Sequence, residues 1–133
     1  MIIITPDLLT QVPEIDEQHK ELIELINKAE TIGREMLTKE EIESTLNFLG
    51  AYIRKHFADE EALMLKSGYA KYEWHCAWHQ GYIAEFNNLK AEYARNGPSK
   101  AFTEILNKSI IRWIVKHIQT VDVVLGQHIN AQK

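Results

Sequence analysis

Histidine side chains recur in this chain at spacings that suit a shared metal ion. His75 and His79 stand four residues apart in "HCAWH", which places both imidazoles on one face of a helix. His56 precedes Glu60 by the same four residues in "HFADE". Such pairs occur by chance in many helical proteins, and Cys76 after the first histidine excludes the zinc-protease motif HExxH. A metal site therefore needs further ligands from elsewhere in the chain.

Composition limits the class of protein to which these residues belong. The 133 residues are 45% hydrophobic and 26% charged, which predicts one globular domain over residues 1–133. A net charge of -4 without a Lys/Arg run argues against nucleic-acid binding. No apolar stretch approaches the roughly 18 residues that span a bilayer, "MIII" is too short for a signal peptide, and there is one cysteine. We therefore expect a cytoplasmic protein without a membrane span.

Apolar residues recur at helical spacing in four long blocks, without the period of two that marks a half-buried strand. We predict an all-α fold whose helices occupy roughly 16–37, 39–66, 70–95 and 99–118. An extended N-terminal arm at 1–14 precedes them, and a short C-terminal tail follows. Because the connections are short, neighbouring helices should run antiparallel in an up-down-up-down four-helix bundle.

Local signals support the ends of these helices. Asp16 is the expected N-cap of the first helix, and Thr38 with Glu41 forms a capping box for the second. Gly68 is expected to end the second helix. The breaker "NGPS" separates the third helix from the fourth, with Ser99 as its N-cap.

The histidines fall on the inward stripes of these helices, at levels that match across the bundle. Residues in antiparallel neighbours face each other when they are equidistant from the turn that joins them. The midpoints of the pairs His19 and His56, His56 and His79, and His79 and His117 all fall on predicted turns. Glu60 and His75 lie about one turn away. Polar groups buried in one layer need partners, and bound metal is the natural partner in a bundle core.

Asp122 is a further candidate ligand, five residues after His117 in "HIQTVD". On a continuous α-helix the two side chains would lie about 140° apart, so we expect a shared site only if the helix ends between them. The alternative is that Asp122 caps the apolar tail "VVLG". His128 lies in the polar tail and is expected to be a solvated surface residue.

The four segments "IDEQH", "HFADE", "HCAWH" and "HIQTVD" resemble the bacterial hemerythrins, the bacteriohemerythrin family, and the resemblance covers nearly the whole chain. The matched metal positions, in order, are His19, His56, Glu60, His75, His79, His117 and Asp122. The resemblance implies two iron ions bridged by Glu60, Asp122 and a solvent-derived oxo or hydroxo group. Three of the histidines, at 75, 79 and 117, would hold one iron, and His19 and His56 the other.

That ligand set leaves one open position, on the iron held by His19 and His56. The resemblance implies that dioxygen binds there end-on, so the expected function is reversible oxygen transport, storage or delivery without enzyme activity. The expected oxygen pocket consists of Leu22, Phe57, Trp113, Ile114 and Ile118. All five are apolar and offer no extra acid or base, which disfavours proton delivery and O–O cleavage.

Several alternatives remain open from the sequence. The same centre would serve a peroxidase or a scavenger of nitric oxide or oxygen, or an oxygen or iron sensor that acts with a separate partner. A ferritin-like di-iron site fits poorly because no histidine has a glutamate three residues before it. A structural zinc site uses four ligands rather than seven. The identity of the metal as iron and of the bound molecule as dioxygen are both inferred from the resemblance alone. The sequence does not identify a protein that would receive the oxygen.

Overall fold

This computed structural model describes residues 2–31 and 37–132. Four long helices dominate the described residues, and a short 3-10 helix, Pro6–Leu8, precedes them in the N-terminal arm. The first three are α1 (Pro13–Glu30), α2 (Lys39–Lys66) and α3 (Tyr72–Asn96). The fourth, α4, runs without a break through the segments Lys100–Ile105, Leu106–Ile111, Arg112–His117, Ile118–Asp122 and Val123–Ala131. The second and fourth of these segments are π-helical.

The helices pack as a closed ring: α1 on α2, α2 on α3, α3 on α4, and α4 back on α1. The predicted all-α four-helix bundle is confirmed, and the ranges that the structure describes contain no strand. Nor does any helix within those ranges combine the length and apolarity that crossing a bilayer requires.

The predicted helix-end signals are present at most of the turns. The Thr38 hydroxyl accepts from the Glu41 N–H while the Glu41 carboxylate accepts from the Thr38 N–H, which completes the capping box. Ser99 accepts from the Phe102 N–H at the start of α4. Gly68 takes φ +65 directly after α2, a conformation that L side chains rarely adopt. These features mark both ends of α2 and the start of α4.

The start of α1 differs from the prediction. Pro13 is its first residue and Val12 is the N-cap, because proline lacks an N–H and suits the first helical turn. Asp16 therefore lies inside the helix, where its carboxylate accepts from the backbone N–H groups of Thr10 and Gln11. In the described residues α1 ends at Glu30. The predicted continuation of this helix towards residue 37 falls on residues 32–36, which lie outside the described part of the chain.

The end of α4 also differs, since the helix predicted to stop near 118 continues to Ala131. The predicted C-terminal tail is therefore the last part of a helix. His128, expected on the solvated surface, is half-buried: its Nε2 lies 3.0 Å from the Ser67 carbonyl oxygen and its ring is 5.0 Å from that of Tyr69. This contact ties the end of α4 to the turn after α2.

The N-terminal arm packs along the bundle. The Ile2 N–H donates to the side chain of Asn27 in α1, and the Asn27 amide donates back to the Ile2 carbonyl. At the other end of the arm, the Thr10 carbonyl rests against Gly126 of α4 so closely that a Cβ at position 126 would collide with it. A glycine is needed here for that close approach.

Two apolar clusters fill the bundle, one on each side of a polar layer. The larger cluster includes Leu22 and Ile118, and the smaller one includes Ile15 and Leu125. Along α1, Ile15 lies before His19 and Leu22 lies after it. Along α4, Ile118 lies before Asp122 and Leu125 lies after it. The polar side chains between them are therefore enclosed on both sides by apolar packing.

Candidate metal centre

Seven buried ligand-type side chains converge in the polar layer, and all four helices contribute. They are His19 from α1, His56 and Glu60 from α2, His75 and His79 from α3, and His117 and Asp122 from α4. None is more than 3% exposed. Their ligand atoms fall into two groups, each within 4.8 Å, and both groups include Glu60 and Asp122. The structure thus brings together all seven residues that were predicted from the sequence as metal ligands.

Each carboxylate divides its two oxygens between the two groups. Glu60 Oε1 lies 2.7 Å from His75 Nε2 and 3.0 Å from His79 Nε2, and its Oε2 lies 3.4 Å from His56 Nε2. Asp122 follows the same rule: its Oδ1 lies 2.9 Å from His75 Nε2, and its Oδ2 lies 2.9 Å from His19 Nε2. One group therefore has three imidazoles, the other has two, and the carboxylates join them.

These short distances fit metal ligands better than hydrogen bonds. Buried atoms in contact at these distances, including His75 Nε2, His117 Nε2 and both Asp122 oxygens, find no partner of hydrogen-bond geometry among the described residues. Adjacent ligands of an octahedral ion with bonds of 2.0–2.1 Å are separated by about 3 Å. The contacts on the three-histidine side, at 2.7 to 3.0 Å, match that separation. The residues present thus fit a pair of metal ions.

A π-helical turn delivers Asp122 to this layer. The Val123 N–H donates to the Ile118 carbonyl, five residues back, so the turn is wider than an α-turn. With more residues in the turn, Asp122 returns over His117, and Asp122 Oδ1 lies 2.9 Å from His117 Nε2. The expectation that the helix must end between them is wrong. The Thr120 hydroxyl also bonds the Lys116 carbonyl within this turn, a contact that often bends a helix.

In the absence of metal, the carboxylates and several imidazoles of the cluster shift one another's pKa values. Burial alone would raise the pKa values of Glu60 and Asp122, but the facing imidazoles outweigh it and hold Glu60 at a pKa of about 2 and Asp122 well below its usual pKa. Burial would lower the pKa of His75, but contacts with both carboxylates raise it to about 9. His56 differs, because burial lowers its pKa to about 4. Metal ions would replace protons held on imidazoles such as His75.

Two outer contacts, which the sequence did not predict, orient ligand imidazoles. His56 Nδ1 lies 2.8 Å from Gln18 Oε1, and Gln18 in turn donates to Asp59. His79 Nδ1 lies 3.2 Å from the Glu61 carboxylate. An Nδ1–H that donates outward leaves the Nε2 lone pair directed at the centre. In the sequence, the only sign of these contacts is that Gln18 and Glu61 are polar residues adjacent to the ligands His19 and Glu60.

The residues proposed for an oxygen pocket do not share one environment. Leu22, Ile114 and Ile118 are fully buried, and Phe57 stacks on His79 with ring centroids 3.9 Å apart. Trp113 is half-buried and stacks instead on His117, at 4.7 Å and 14° between ring planes. It therefore borders the three-histidine group.

Known proteins resemble this chain in sequence and in fold. The family model described as the hemerythrin HHE cation binding domain matches residues 10–128. The chain belongs to the hemerythrin family. A bacteriohemerythrin of Campylobacter jejuni is 32% identical over 108 residues, which cover 81% of this chain and 80% of that protein. One of Methylococcus capsulatus is 28% identical over 122 residues, covering 92% and 91%.

The structural comparison agrees with the sequence comparison. A crystal structure of wild-type hemerythrin superimposes with a TM-score of 0.83 at 28% identity, covering 96% of this chain and 95% of the other. The hemerythrin bundle thus extends over nearly the whole described chain, and its buried cluster of histidines and carboxylates has the ligand types and spacing that could hold metal ions.

Proposed function

We propose that this hemerythrin-family chain binds dioxygen reversibly at a non-haem di-iron centre and acts as an oxygen carrier or store, not as an enzyme. The observation that carries the proposal is the division of the two carboxylates between three imidazoles on one side and two on the other. One metal ion would have three histidine ligands and the other would have two. The open coordination position would therefore lie on the ion with two histidines.

The proposed ligands follow from this division. His75, His79 and His117 would hold one iron, His19 and His56 the other, with Glu60 and Asp122 bridging them. When bound by these residues, a pair of ferrous ions would supply the two electrons needed for reversible binding of dioxygen. The protein's own part is to fix the imidazoles, to exclude water and to limit proton supply.

The surroundings support uptake without turnover. Leu22, Phe57, Ile114 and Ile118 belong to one apolar cluster beside the centre and present no acid or base to it. The side chains that carry acidic groups near the ligands, Glu61 and Asp59, bond instead to the outer face of an imidazole or to Gln18. These four apolar side chains donate no proton, and such surroundings favour release of intact dioxygen over O–O cleavage.

The test is a cycle of oxygen addition and removal. The purified chain is loaded with ferrous iron under anaerobic conditions, exposed to oxygen and then degassed, while visible absorption and iron content are recorded. A colour that appears and disappears over several cycles with two irons per chain supports a carrier. Irreversible oxidation, or repeated turnover of added peroxide or nitric oxide, would favour an enzyme instead. The cytoplasmic location and an oxygen-receiving partner stay predictions.

A further inference from the structure

Three aromatic rings connect the protein surface to the centre. Trp74 is 44% exposed, and its ring centroid lies 6.5 Å from that of Trp78, one turn further along α3. Trp78 lies 5.6 Å from Trp113 on α4, and Trp113 stacks on His117. The chain has three tryptophans, and all of them stand on this one path.

Packing alone does not explain the outer end of the path. A buried indole contributes to a core, but Trp74 leaves much of its ring in water, where Lys71 Nζ lies 5.6 Å from the ring centroid. Phe57 also stacks on an imidazole of the three-histidine group, His79, but is itself buried. A second series of rings leads outward from His75 through Tyr69 to His128, with centroids 6.4 Å and 5.0 Å apart, but its outer ring is half-buried. Of these two connections, the tryptophan path ends on the more exposed ring.

We propose that Trp74, Trp78 and Trp113 form an electron-entry path by which an external reduced flavin returns an oxidised centre to the ferrous state. This inference rests on the di-iron centre proposed above. An oxidised centre must be reduced before it takes up dioxygen again, and a chain with a single cysteine carries no dithiol to supply two electrons.

The reaction balances with the flavin as the reductant. One fully reduced flavin gives two electrons to the two ferric ions, which become ferrous, and it releases two protons to the solvent as it becomes oxidised flavin. The rate of electron tunnelling falls steeply with each gap between groups, and neighbouring rings shorten those gaps. The indoles therefore act as a bridge and are not themselves oxidised.

Reduction kinetics test the path. The oxidised, iron-loaded chain is mixed anaerobically with reduced flavin mononucleotide, and loss of the ferric absorption gives the rate constant. Trp74→Leu should lower this rate about tenfold, whereas Trp74→Phe, which keeps a ring, should stay within about twofold of the unmodified chain. Phe48→Leu is the matched control, because Phe48 is 67% exposed on α2 and is absent from the path. Iron content and midpoint potential should stay constant in all three variants.

Tryptophan emission provides a second readout. Ferric ions should quench emission by accepting an electron along the path, and zinc, which accepts none, should leave it intact. Trp78→Leu should restore the emission of Trp74 in the ferric form, whereas energy transfer through space would persist in that variant. Any one of three results overturns the path alone. These are an unchanged reduction rate in Trp74→Leu, a reduction rate in Trp74→Phe as low as that in Trp74→Leu, and persistent quenching of emission in Trp78→Leu. A chain that holds no iron overturns both this inference and the proposed function.

Discussion

His117 and Asp122 are five residues apart on one uninterrupted helix, yet His117 Nε2 and Asp122 Oδ1 lie 2.9 Å from each other. The π-helical turn between them makes this contact, because it takes up one more residue than an α-turn. A single helix thereby supplies both an imidazole and a bridging-type carboxylate to the same layer.

Removal of the Glu60 carboxylate should abolish the paired centre. In Glu60→Ala, both groups lose an oxygen at once, since Oε1 faces His75 and Oε2 faces His56. We expect iron content to fall well below two per chain and reversible oxygenation to disappear, as measured by metal analysis and visible absorption. Glu43→Ala on the same helix, where Glu43 pairs with Lys39 at the surface, is the control. Two irons and normal oxygenation in Glu60→Ala would contradict the bridging role.

Loss of one imidazole should have unequal effects on the two sides. His19→Ala leaves the two-histidine group with His56 as its remaining imidazole, while the three-histidine group keeps all of its ligands. We therefore expect one tightly held iron per chain and no oxygen uptake, by metal analysis after dialysis against a chelator. If His19→Ala retained both ions after dialysis, the assignment of His19 to the second ion would be wrong.

The stability of the metal-free chain should fall between about pH 6.5 and pH 9. His75 has a folded pKa of about 9 against 6.5 for the free side chain, so its contribution is complete below pH 6.5 and disappears as pH rises through 9. The loss should be at most about 3 kcal/mol, from urea unfolding at several pH values. His75→Gln should show a smaller slope over this range. The metal-loaded chain should show no comparable loss, because metal replaces the proton. A metal-free chain that becomes more stable towards pH 9 would contradict the raised pKa of His75.

A polar group beside the two-histidine side should hasten oxidation. Leu22 is completely buried one turn after His19, and Leu22→Ser would give water and protons a place near the centre. We expect oxygen still to bind, but the oxygenated form to decay several times faster, as followed by visible absorption. Leu22→Met keeps the pocket apolar and serves as the control. Equal decay in both variants would remove Leu22 from the oxygen pocket.

A methyl group at position 126 should push the N-terminal arm away from α4. The Thr10 carbonyl occupies the space that a Cβ would take, so Gly126→Ala should lower the free energy of unfolding by about 1–3 kcal/mol. Gly81→Ala is the matched control, because a Cβ there meets nothing within 4 Å and alanine favours the helix by up to about 1 kcal/mol. Urea unfolding of both variants distinguishes a local collision from a general effect of alanine. Equal stability of the two variants would argue against the collision.

The sequence contained most of the architecture and all seven of the converging side chains. Periodicity located the helices, and equidistance from turns placed His19, His56, His79 and His117 in one layer, because both depend only on regular helical geometry. The end of α4 was missed because a π-turn depends on packing that no local pattern records. The contacts of Gln18 and Glu61 were not predicted for a related reason. Gln18 lies 38 residues from His56 along the chain, and Glu61 lies 18 residues from His79.

Because every helix supplies at least one of the seven side chains, neither ion can find its full set of donors until the whole bundle has assembled. Occupancy of the centre and global folding are consequently one linked equilibrium. The apparent melting temperature should therefore rise with the concentration of free metal, and the chain without metal should unfold more readily than the loaded chain.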